Sequence, residues 1–201
     1  MHDGTVKTPD AAAGGEAREA SILLERPEDG ICVVRLNRPA ARNALSLEVL
    51  SKLTGLFEEL GRDPSVRAII LAGNGPAFCA GHDLKELTSR RGDADGGKAF
   101  YVATMTACSQ LMQVMVACPK PIIASVHAMA TAAGCQLVAT CDLAVAAQGA
   151  KFCTPGVNIG LFCSTPMVAL SRNVPRKRAM EMLLLGELIS AETAADYGLV
   201  N

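Results

Sequence analysis

Residues 121–147 read PIIASVHAMATAAGCQLVATCDLAVAA, and this stretch decides the fold. The apolar residues 122–126 are followed by the small residues 131–134, a short helical pattern and a second apolar segment. The pattern predicts a buried strand, a tight turn, a helix and another strand. A helix that begins among small residues points free backbone N–H groups outward, where they suit a developing negative charge. A tightly packed turn without any ligand accounts for this stretch equally well.

The rest of the chain alternates between strand and helix patterns. A β-hairpin is predicted at residues 22–25 and 31–36, around the turn-forming segment PEDG. Further strands are predicted at residues 66–71 and 151–155, and helices at 47–62, 98–117, 166–171, 175–185 and 191–197. The polar residues 88–97 are predicted to be a mobile surface loop. This alternation predicts an α/β domain at residues 21–201, after a flexible tail at residues 1–20.

The composition of the 201 residues, 50% hydrophobic and 19% charged, is typical of one globular domain. A net charge of −1 and 3% aromatic residues argue against a nucleic-acid partner. Residues 121–141 lack charged side chains but contain polar ones, which favours a buried core over membrane insertion. The eight cysteines form no Cys-x-x-Cys pair and the three histidines are scattered. Reduced thiols and no metal site are therefore predicted.

Two strand-to-helix turns carry the candidate chemistry: residues 77–83, AFCAGHD, and residues 130–136, ATAAGCQ. Each turn offers free backbone N–H groups beside small residues. If the two turns face each other, they form an oxyanion hole with two donors, whose dipoles are fixed before charge develops. Asp83 is predicted to cap the helix after the first turn, with Glu86 as its capping-box partner.

Several segments together resemble the enoyl-CoA hydratase/isomerase (crotonase) superfamily in order and spacing: NRPAARNALS, AIILAGNGPAFCAGHDLKEL, PKPIIASVHAMATAAGCQLVATCDLAVAA, FCTPGVNIGLFCSTP and PRKRAMEMLLLGELISAETAADYGLVN. The resemblance implies a crotonase-like spiral of ββα units, a CoA thioester as substrate or ligand without a further cofactor, and trimers or hexamers. It also implies a lyase or isomerase of fatty acid metabolism, in the mitochondrial matrix of a eukaryote or otherwise in the cytoplasm. Relatives continue beyond the GLV segment, so it implies that C-terminal helices are missing after Asn201.

The resemblance assigns the backbone amides of His82 and Ala133 to an oxyanion hole. It assigns a surface that binds CoA to the loop after residue 41 and to both turns. The members of this surface are Arg42, Ala44, Leu45, Ala80, Gly81, His82, Asp83, Leu84, Ala132, Ala133 and Gly134. Arg42 offers a charge for a CoA phosphate, with a solvated loop arginine as the alternative.

Two positions depart from the hydratases of this superfamily, which carry two glutamates that hold and deprotonate water. Gln136 stands at the first position, one helical turn after the second oxyanion donor, and Gly156 stands at the second. Neither residue accepts a proton at neutral pH, and general acid–base catalysis typically contributes ~10²–10⁴-fold. The resemblance therefore implies weak or absent hydratase activity. A non-catalytic acyl-CoA-binding or regulatory protein is the alternative.

Several side chains near the turns have both a catalytic and a structural interpretation. The His82 ring is a candidate base that titrates near neutrality, or it merely packs. His127 is interpreted as a core histidine with its hydrogen bonds made, rather than as a base. Cys135 is interpreted as a buried small residue rather than a nucleophile, and Asp142 as structural.

Three further polar residues suggest other roles. Asn158 and Ser164 lie in a segment that lines the acyl pocket in relatives, where they are candidates to bond a polar acyl group. Ser125 raises a different class, the Clp-type serine peptidases, which resemble this fold. Ser125 lies inside a strand pattern and no histidine follows suitably, so the peptidase interpretation is not favoured.

Overall fold

The computed structural model of the chain describes residues 20–201. The strands in this part are β1 (Ile22–Glu28), β2 (Ile31–Leu36), β3 (Ala68–Gly73), β4 (Ala77–Cys79), β5 (Ile122–Val126), β6 (Met129–Thr131), β7 (Leu143–Ala146), β8 (Lys151–Cys153) and β9 (Ile189–Ser190). The helices are α1 (Leu47–Arg62), α2 (Leu84–Ser89), α3 (Lys98–Ala117), α4 (Ala133–Thr140), α5 (Ser164–Asn173), α6 (Arg176–Leu185) and α7 (Ala191–Asp196). Apart from Ala20, the predicted tail lies outside the described residues.

A five-stranded sheet in the order β1-β2-β3-β5-β7 forms the first layer. β1 and β2 are the predicted hairpin and pair antiparallel, with Gly30 at φ +82 in the turn. The other neighbours in this sheet pair in parallel. The central strands are apolar because both of their faces are covered, and Ile69, Leu71 and Ala124 are fully buried.

A second sheet contains β4, β6, β8 and β9 in that order. Three strands of the first sheet are each followed by a strand of the second: β3 by β4, β5 by β6, and β7 by β8. A helix follows each pair, namely α2, α4 and α5. The predicted α/β fold with repeated ββα units is therefore confirmed.

The first helix shows how local sequence and packing agree. Ser46 caps α1, because its side chain accepts a hydrogen bond from Val49 N at 3.3 Å. Leu53 and Phe57 lie on the buried face of α1, and α3 packs along it with Leu111 in the core. Burying each such side chain contributes about 1.5–3 kcal/mol. The predicted bounds of both helices are confirmed.

The helix α3 is long and apolar enough to cross a membrane by length and composition, alone among the helices in residues 20–201. It also has the features of a core helix, since Cys108, Leu111 and Met115 are buried while Val102 and Val116 face outward. The absence of membrane insertion stays a prediction.

The predictions for residues 88–97 and for the burial of His127 are wrong. Residues 88–97 are not one loop, since α2 continues to Ser89 and a 3₁₀ turn follows at Arg90–Gly92. The guanidinium of Arg90 stacks over the ring of Phe100, 4.9 Å from its centroid, which gives this segment a packed anchor. His127 is exposed rather than in the core, because β5 ends at the residue before it. Its Nε2 is 2.8 Å from the carbonyl oxygen of Gly75.

Candidate active site

The two predicted turns lie against each other. Gly81, at φ +88, packs so closely that a Cβ atom there would lie 2.9 Å from Ala132 Cβ and 3.2 Å from Ala133 N. Across the same contact, Thr131 Oγ1 donates a hydrogen bond to Ala80 O at 3.1 Å. Any side chain larger than hydrogen at position 81 would therefore push the turns apart.

The second turn adopts a strained backbone conformation. Ala132 has φ 50 and ψ −119, which an L-residue rarely adopts and which typically costs about 1–3 kcal/mol. Its amide donates to Cys153 O at 3.0 Å, which fixes the turn to β8. Gly134 follows without room for a side chain, because a Cβ atom there would overlap Cys79 O. The packing of Gly134 against Cys79 maintains this strained conformation, and the conformation places Ala133 N beside Gly81.

The amides of His82 and Ala133 are the two predicted oxyanion donors. Within residues 20–201, neither amide donates a hydrogen bond, whereas the neighbouring amides of Ala80, Asp83 and Ala132 all do. Two unpaired backbone donors where two turns meet suit an anionic oxygen.

The loop after β2 is tied to the first turn by Asn43. This residue sits at φ 54 and is 2% exposed. Its Oδ1 accepts from Arg38 N, and its Nδ2 donates to Asn74 O and Ala77 O, with all three distances 2.8 Å. Sequence reasoning missed this role. The available signal was an asparagine, which tolerates the left-handed region and bonds nearby backbone.

Arg38 is a second support that sequence reasoning missed. Its Nη2 is 2.9 Å from Asp83 Oδ2, and its Nη1 donates to Ala44 O at 2.5 Å. Burial opposes ionisation of Asp83, but the hydrogen bond from Arg38 and the amides of α2 outweigh it and hold the pKa of Asp83 below its usual value. The ion pair therefore joins the loop after β2 to the turn at residues 80–83.

Backbone bonds from Leu45 complete this junction. Leu45 N donates to Gly81 O at 2.8 Å, and Asp83 N donates to Leu45 O at 3.1 Å. The Leu45 side chain is fully buried, so it supports the turn from the core. Asp83 caps α2 as predicted, accepting from Glu86 N at 3.3 Å. Glu86 returns no bond, because its Oε2 accepts from Leu47 N at 3.0 Å and links α2 to α1 instead.

The members of the predicted CoA surface differ in exposure. Ala44 and Gly81 are buried and contribute backbone, whereas Arg42 and Leu84 are exposed. Arg42 O accepts from Ala80 N at 3.0 Å, which places the exposed guanidinium on the loop beside the first turn.

The ring nitrogens of His82 are closed off from solvent, although the residue as a whole is only partly buried. Both ring nitrogens are buried and have no hydrogen-bond partner among the described residues. Burial lowers the pKa of His82 below its usual value, and the Leu45 backbone opposes this shift only in part. The neutral imidazole is therefore the favoured form, and the ring supports the turn by packing.

Gln136 lies on α4 one turn after Ala133 and is 4% exposed. Its Oε1 is 3.9 Å from Cys108 Sγ on α3. It also lines a groove of about 770 Å³ between α3, α4 and α5. The other groove residues are Ser109, Met112, Gln113, Val116, Ala117, Ala139, Thr140, Cys141, Asp142, Thr165, Val168, Ala169, Arg172 and Asn173.

Gly156 is enclosed by the segment that follows it. A Cβ atom there would overlap Leu161 O and would lie 2.8 Å from Cys163 Sγ. Leu161 N donates to Gly156 O at 2.9 Å, which closes the loop onto the glycine. The space that a side chain would need is therefore filled by backbone and a thiol.

The remaining candidates divide into buried and exposed residues. Cys135 is fully buried, and burial raises the pKa of its thiol, as expected for an inert core residue. Asp142 has the predicted structural role, since its Oδ2 accepts from Ile122 N at 2.8 Å. Ser125, Asn158 and Ser164 are exposed. No cluster of three or more metal-ligating side chains occurs in the described part of the chain.

Comparison with known proteins places this fold and site in a family. The sequence model of the enoyl-CoA hydratase/isomerase family matches residues 26–201, so the chain belongs to that family. Similar curated proteins include enoyl-CoA hydratase domain-containing protein 3, mitochondrial, from Mus musculus and Homo sapiens, each 46% identical over 95% of this chain. The chain spans 62% of the mouse protein and 61% of the human one.

Solved structures agree with this assignment. An enoyl-CoA hydratase from Mycobacterium smegmatis is 52% identical, with a TM-score of 0.85 over 91% of this chain and 69% of its own. Human enoyl-CoA hydratase domain-containing protein 3 is 46% identical, with a TM-score of 0.83 over 90% of this chain and 70% of its own.

Proposed function

We propose that this chain binds acyl-CoA or enoyl-CoA thioesters and stabilises an enolate-like oxyanion between the amides of His82 and Ala133. The observation that carries the proposal is the contact of the two turns, where Gly81 leaves no room for a Cβ atom beside Ala133 N. Amide dipoles held in this way stabilise charge on a thioester oxygen without reorganising. The relatives' names supply the thioester class.

The groove at Gln136 is the proposed acyl site. Ala133, Gln136 and Thr140 share one face of α4, so an acyl group that starts at Ala133 N would run along this face into the groove. Thr140 Oγ1 donates to Gln136 O, and Asn173 Nδ2 donates to Ala139 O. These two side chains are already bonded, and the apolar groove residues Met112, Val168 and Ala169 offer contacts to a hydrocarbon chain.

Hydration is proposed to be weak, because Gln136 and Gly156 take the positions of the glutamates of hydratases. Gln136 is an amide, and Gly156 has no space for a carboxylate in its present loop. The second candidate function is a non-catalytic acyl-CoA-binding or regulatory protein, which the same two residues favour. The test is the turnover rate for crotonyl-CoA hydration. We expect it to lie far below that of ordinary hydratases, and turnover at their level would contradict the proposal.

Assembly and location are proposed from the relatives. A trimer or hexamer is proposed, because it would cover apolar side chains that are exposed in this chain, such as Val116, Leu184 and Leu188. Sedimentation of the purified chain measures its oligomeric state. The vertebrate relatives are named mitochondrial, so the mitochondrial matrix is the proposed compartment in a eukaryote, and the cytoplasm otherwise.

A substitution at Gly81 tests the thioester site. Gly81→Ala places a methyl group at φ +88 against Ala132 and Ala133 N, and we expect it to separate the turns. Binding of butyryl-CoA and octanoyl-CoA, measured by calorimetry and thermal shift, should weaken by on the order of tenfold or more. The matched control is Gly149→Ala, because nothing lies within 4 Å of a Cβ atom at that position.

Unchanged affinity in a folded Gly81→Ala variant would contradict the proposed oxyanion site. Octanoyl-CoA is also expected to bind more tightly than butyryl-CoA, because each buried methylene contributes about 0.8 kcal/mol. Equal affinities for the two esters would argue against the groove as the acyl site.

A further inference from the structure

The groove at Gln136 has a direction, because α3 and α4 run side by side. Cys108 Sγ on α3 is 3.9 Å from Gln136 Oε1 on α4. One helical turn later, Thr140 Oγ1 on α4 donates to Met112 Sδ on α3 at 3.3 Å. The two helices therefore point the same way. An acyl chain that starts at Ala133 N and follows α4 has α3 beside it along its length.

The last turn of α5 brings a cation to the far end of this groove. Asn173 Nδ2 donates to Ala139 O at 2.7 Å, which joins the end of α5 to the end of α4. Arg172, the residue before Asn173, is exposed and lines the groove. Among the groove residues, Arg172 carries the single positive charge. The end of the groove that lies farthest from the thioester therefore has a guanidinium.

The charge of Arg172 is not neutralised by a neighbouring carboxylate. Arg172 Nη1 donates to Val168 O at 2.6 Å, which holds the side chain along α5. Within residues 20–201, Arg172 forms no ion pair. Asp142 is the one acidic residue of the groove, and its Oδ2 accepts from Ile122 N at 2.8 Å. Most N–H groups of the guanidinium are therefore available to an acceptor on a ligand.

The distance along the groove determines which carbon of an acyl chain meets this charge. From Ala133 to Thr140, α4 rises by about 10 Å. An extended chain advances roughly 1.2 Å per bond, so about eight bonds lead from the thioester to the level of Arg172. Before that level the chain passes the apolar side chains of Met112 and Val168. A chain of about ten carbons therefore brings its last carbon to the guanidinium.

We propose that the groove selects acyl-CoA thioesters of about ten carbons that end in a carboxylate, and that Arg172 binds this ω-carboxylate. The proposal rests on the proposed thioester site and adds a second anchor at the other end of the groove. A planar guanidinium binds a carboxylate through two parallel hydrogen bonds, which a terminal methyl group cannot form. The length of the chain matters, because a carboxylate that stops beside Met112 loses water without gaining a partner.

The experiment uses calorimetry on the whole chain with pairs of thioesters that have the same number of carbons. In each pair one thioester ends in a methyl group and the other in a carboxylate. Among ten-carbon esters, sebacoyl-CoA should bind about threefold or more tightly than decanoyl-CoA. Among six-carbon esters, adipoyl-CoA should bind about threefold or more weakly than hexanoyl-CoA, because its carboxylate stops in the apolar part of the groove. A preference that changes sign with chain length indicates a cation at a fixed distance from the thioester.

Two substitutions of Arg172 separate its charge from its length. Arg172→Met keeps a long side chain without the charge, and it should abolish the preference for sebacoyl-CoA over decanoyl-CoA. Arg172→Lys keeps the charge without the planar fork, and it should retain part of the preference. The matched control is Arg176→Met, at an exposed arginine outside the groove, which should keep the full preference. Thermal unfolding shows whether each variant is folded.

The outcomes distinguish this proposal from the one on which it rests. If decanoyl-CoA binds but sebacoyl-CoA is not preferred, the proposal for Arg172 is wrong and the thioester site stands. The same conclusion follows if folded Arg172→Met keeps the full preference, or if the carboxylate is preferred equally at six and at ten carbons. If the folded chain binds no CoA ester, both proposals are wrong.

Discussion

At the scale of single residues, the site is shaped by positions where a side chain is excluded. Gly81 and Gly134 lie where two turns meet, and Gly156 lies under its own loop. A Cβ atom at each of these positions would be closer than 3.0 Å to a neighbouring atom, and at Gly134 and Gly156 the nearest neighbour is backbone that cannot swing away. Glycine is therefore required at these three positions for steric reasons.

Gly156→Ala tests this steric cause directly. The new methyl group would overlap Leu161 O and approach Cys163 Sγ, so we expect a loss of about 1–3 kcal/mol in the free energy of unfolding. Urea unfolding measures it. The control Gly92→Ala has open space around the new methyl group and should change stability by less than about 0.5 kcal/mol. A stable Gly156→Ala variant would mean that the loop opens easily, and only then would a glutamate fit there.

His82 gives stability a pH dependence. Its pKa is lowered by burial, so in the window between that lowered value and the usual ~6.5 the unfolded chain binds more protons than the folded chain. The contribution of His82 to stability is therefore fully present above about pH 6.5 and is lost as the pH falls through this window.

Urea midpoints of the parent chain and of His82→Asn, measured between about pH 5 and 8, test this expectation. The free energy of unfolding of His82→Asn should fall less steeply toward acid pH than that of the parent chain. His127→Asn removes an exposed imidazole and serves as the matched control, which should keep the full decline. An identical decline in the parent and in His82→Asn would show that His82 does not carry it.

At the scale of elements, the loop between β2 and α1 holds the first turn in place. Asn43 bonds the backbone of three residues, in its own loop and in the connection from β3 to β4, and Arg38 pairs with the N-cap of α2. Glu86 joins α2 to the start of α1 at Leu47. The turn that carries His82 N–H is therefore braced by its neighbours on both sides.

Asn43→Ala is expected to lower the free energy of unfolding by about 2–4 kcal/mol, because it leaves buried backbone groups unpaired and places alanine at φ 54. Denaturant unfolding measures the loss. The same variant should weaken acyl-CoA binding, since the loop after β2 loses its bonds to Asn74 and Ala77 and no longer holds the first turn. Asn158→Ala, at an exposed asparagine, is the control and should change stability by less than about 0.5 kcal/mol. If Asn43→Ala changes stability as little as the control does, the loop between β2 and α1 does not hold the first turn in place.

At the scale of the whole molecule, two sheets bring three distant segments together. β4 and β6 pair in parallel, so the turns that follow them lie side by side although about fifty residues separate them along the chain. The loop after β2 reaches the same place because β2 and β3 are also parallel neighbours. The groove between α3, α4 and α5 includes Gln136, which lies one helical turn after Ala133.

Much of this molecule is set by local patterns that can be read along the chain. The bounds of α1 and α3, the hairpin, the two small-residue turns and the Asp83 cap all follow from periodicity, capping and turn chemistry. These features depend on residues within a few positions of each other, and the motif order was enough to predict the family.

Only the tertiary structure decided which of these features meet. The contact of Gly81 with Ala133 N, the Arg38–Asp83 pair and the bond from Leu47 N to Glu86 all join residues that are far apart in the sequence. The exposure of His127 could not be predicted either, because the burial of a residue at the end of a strand depends on which neighbouring segments cover it. Gln136 is the clearest case: the sequence shows that it is an amide, and the packing of α3 on α4 decides that it is buried beside Cys108 and lines the groove.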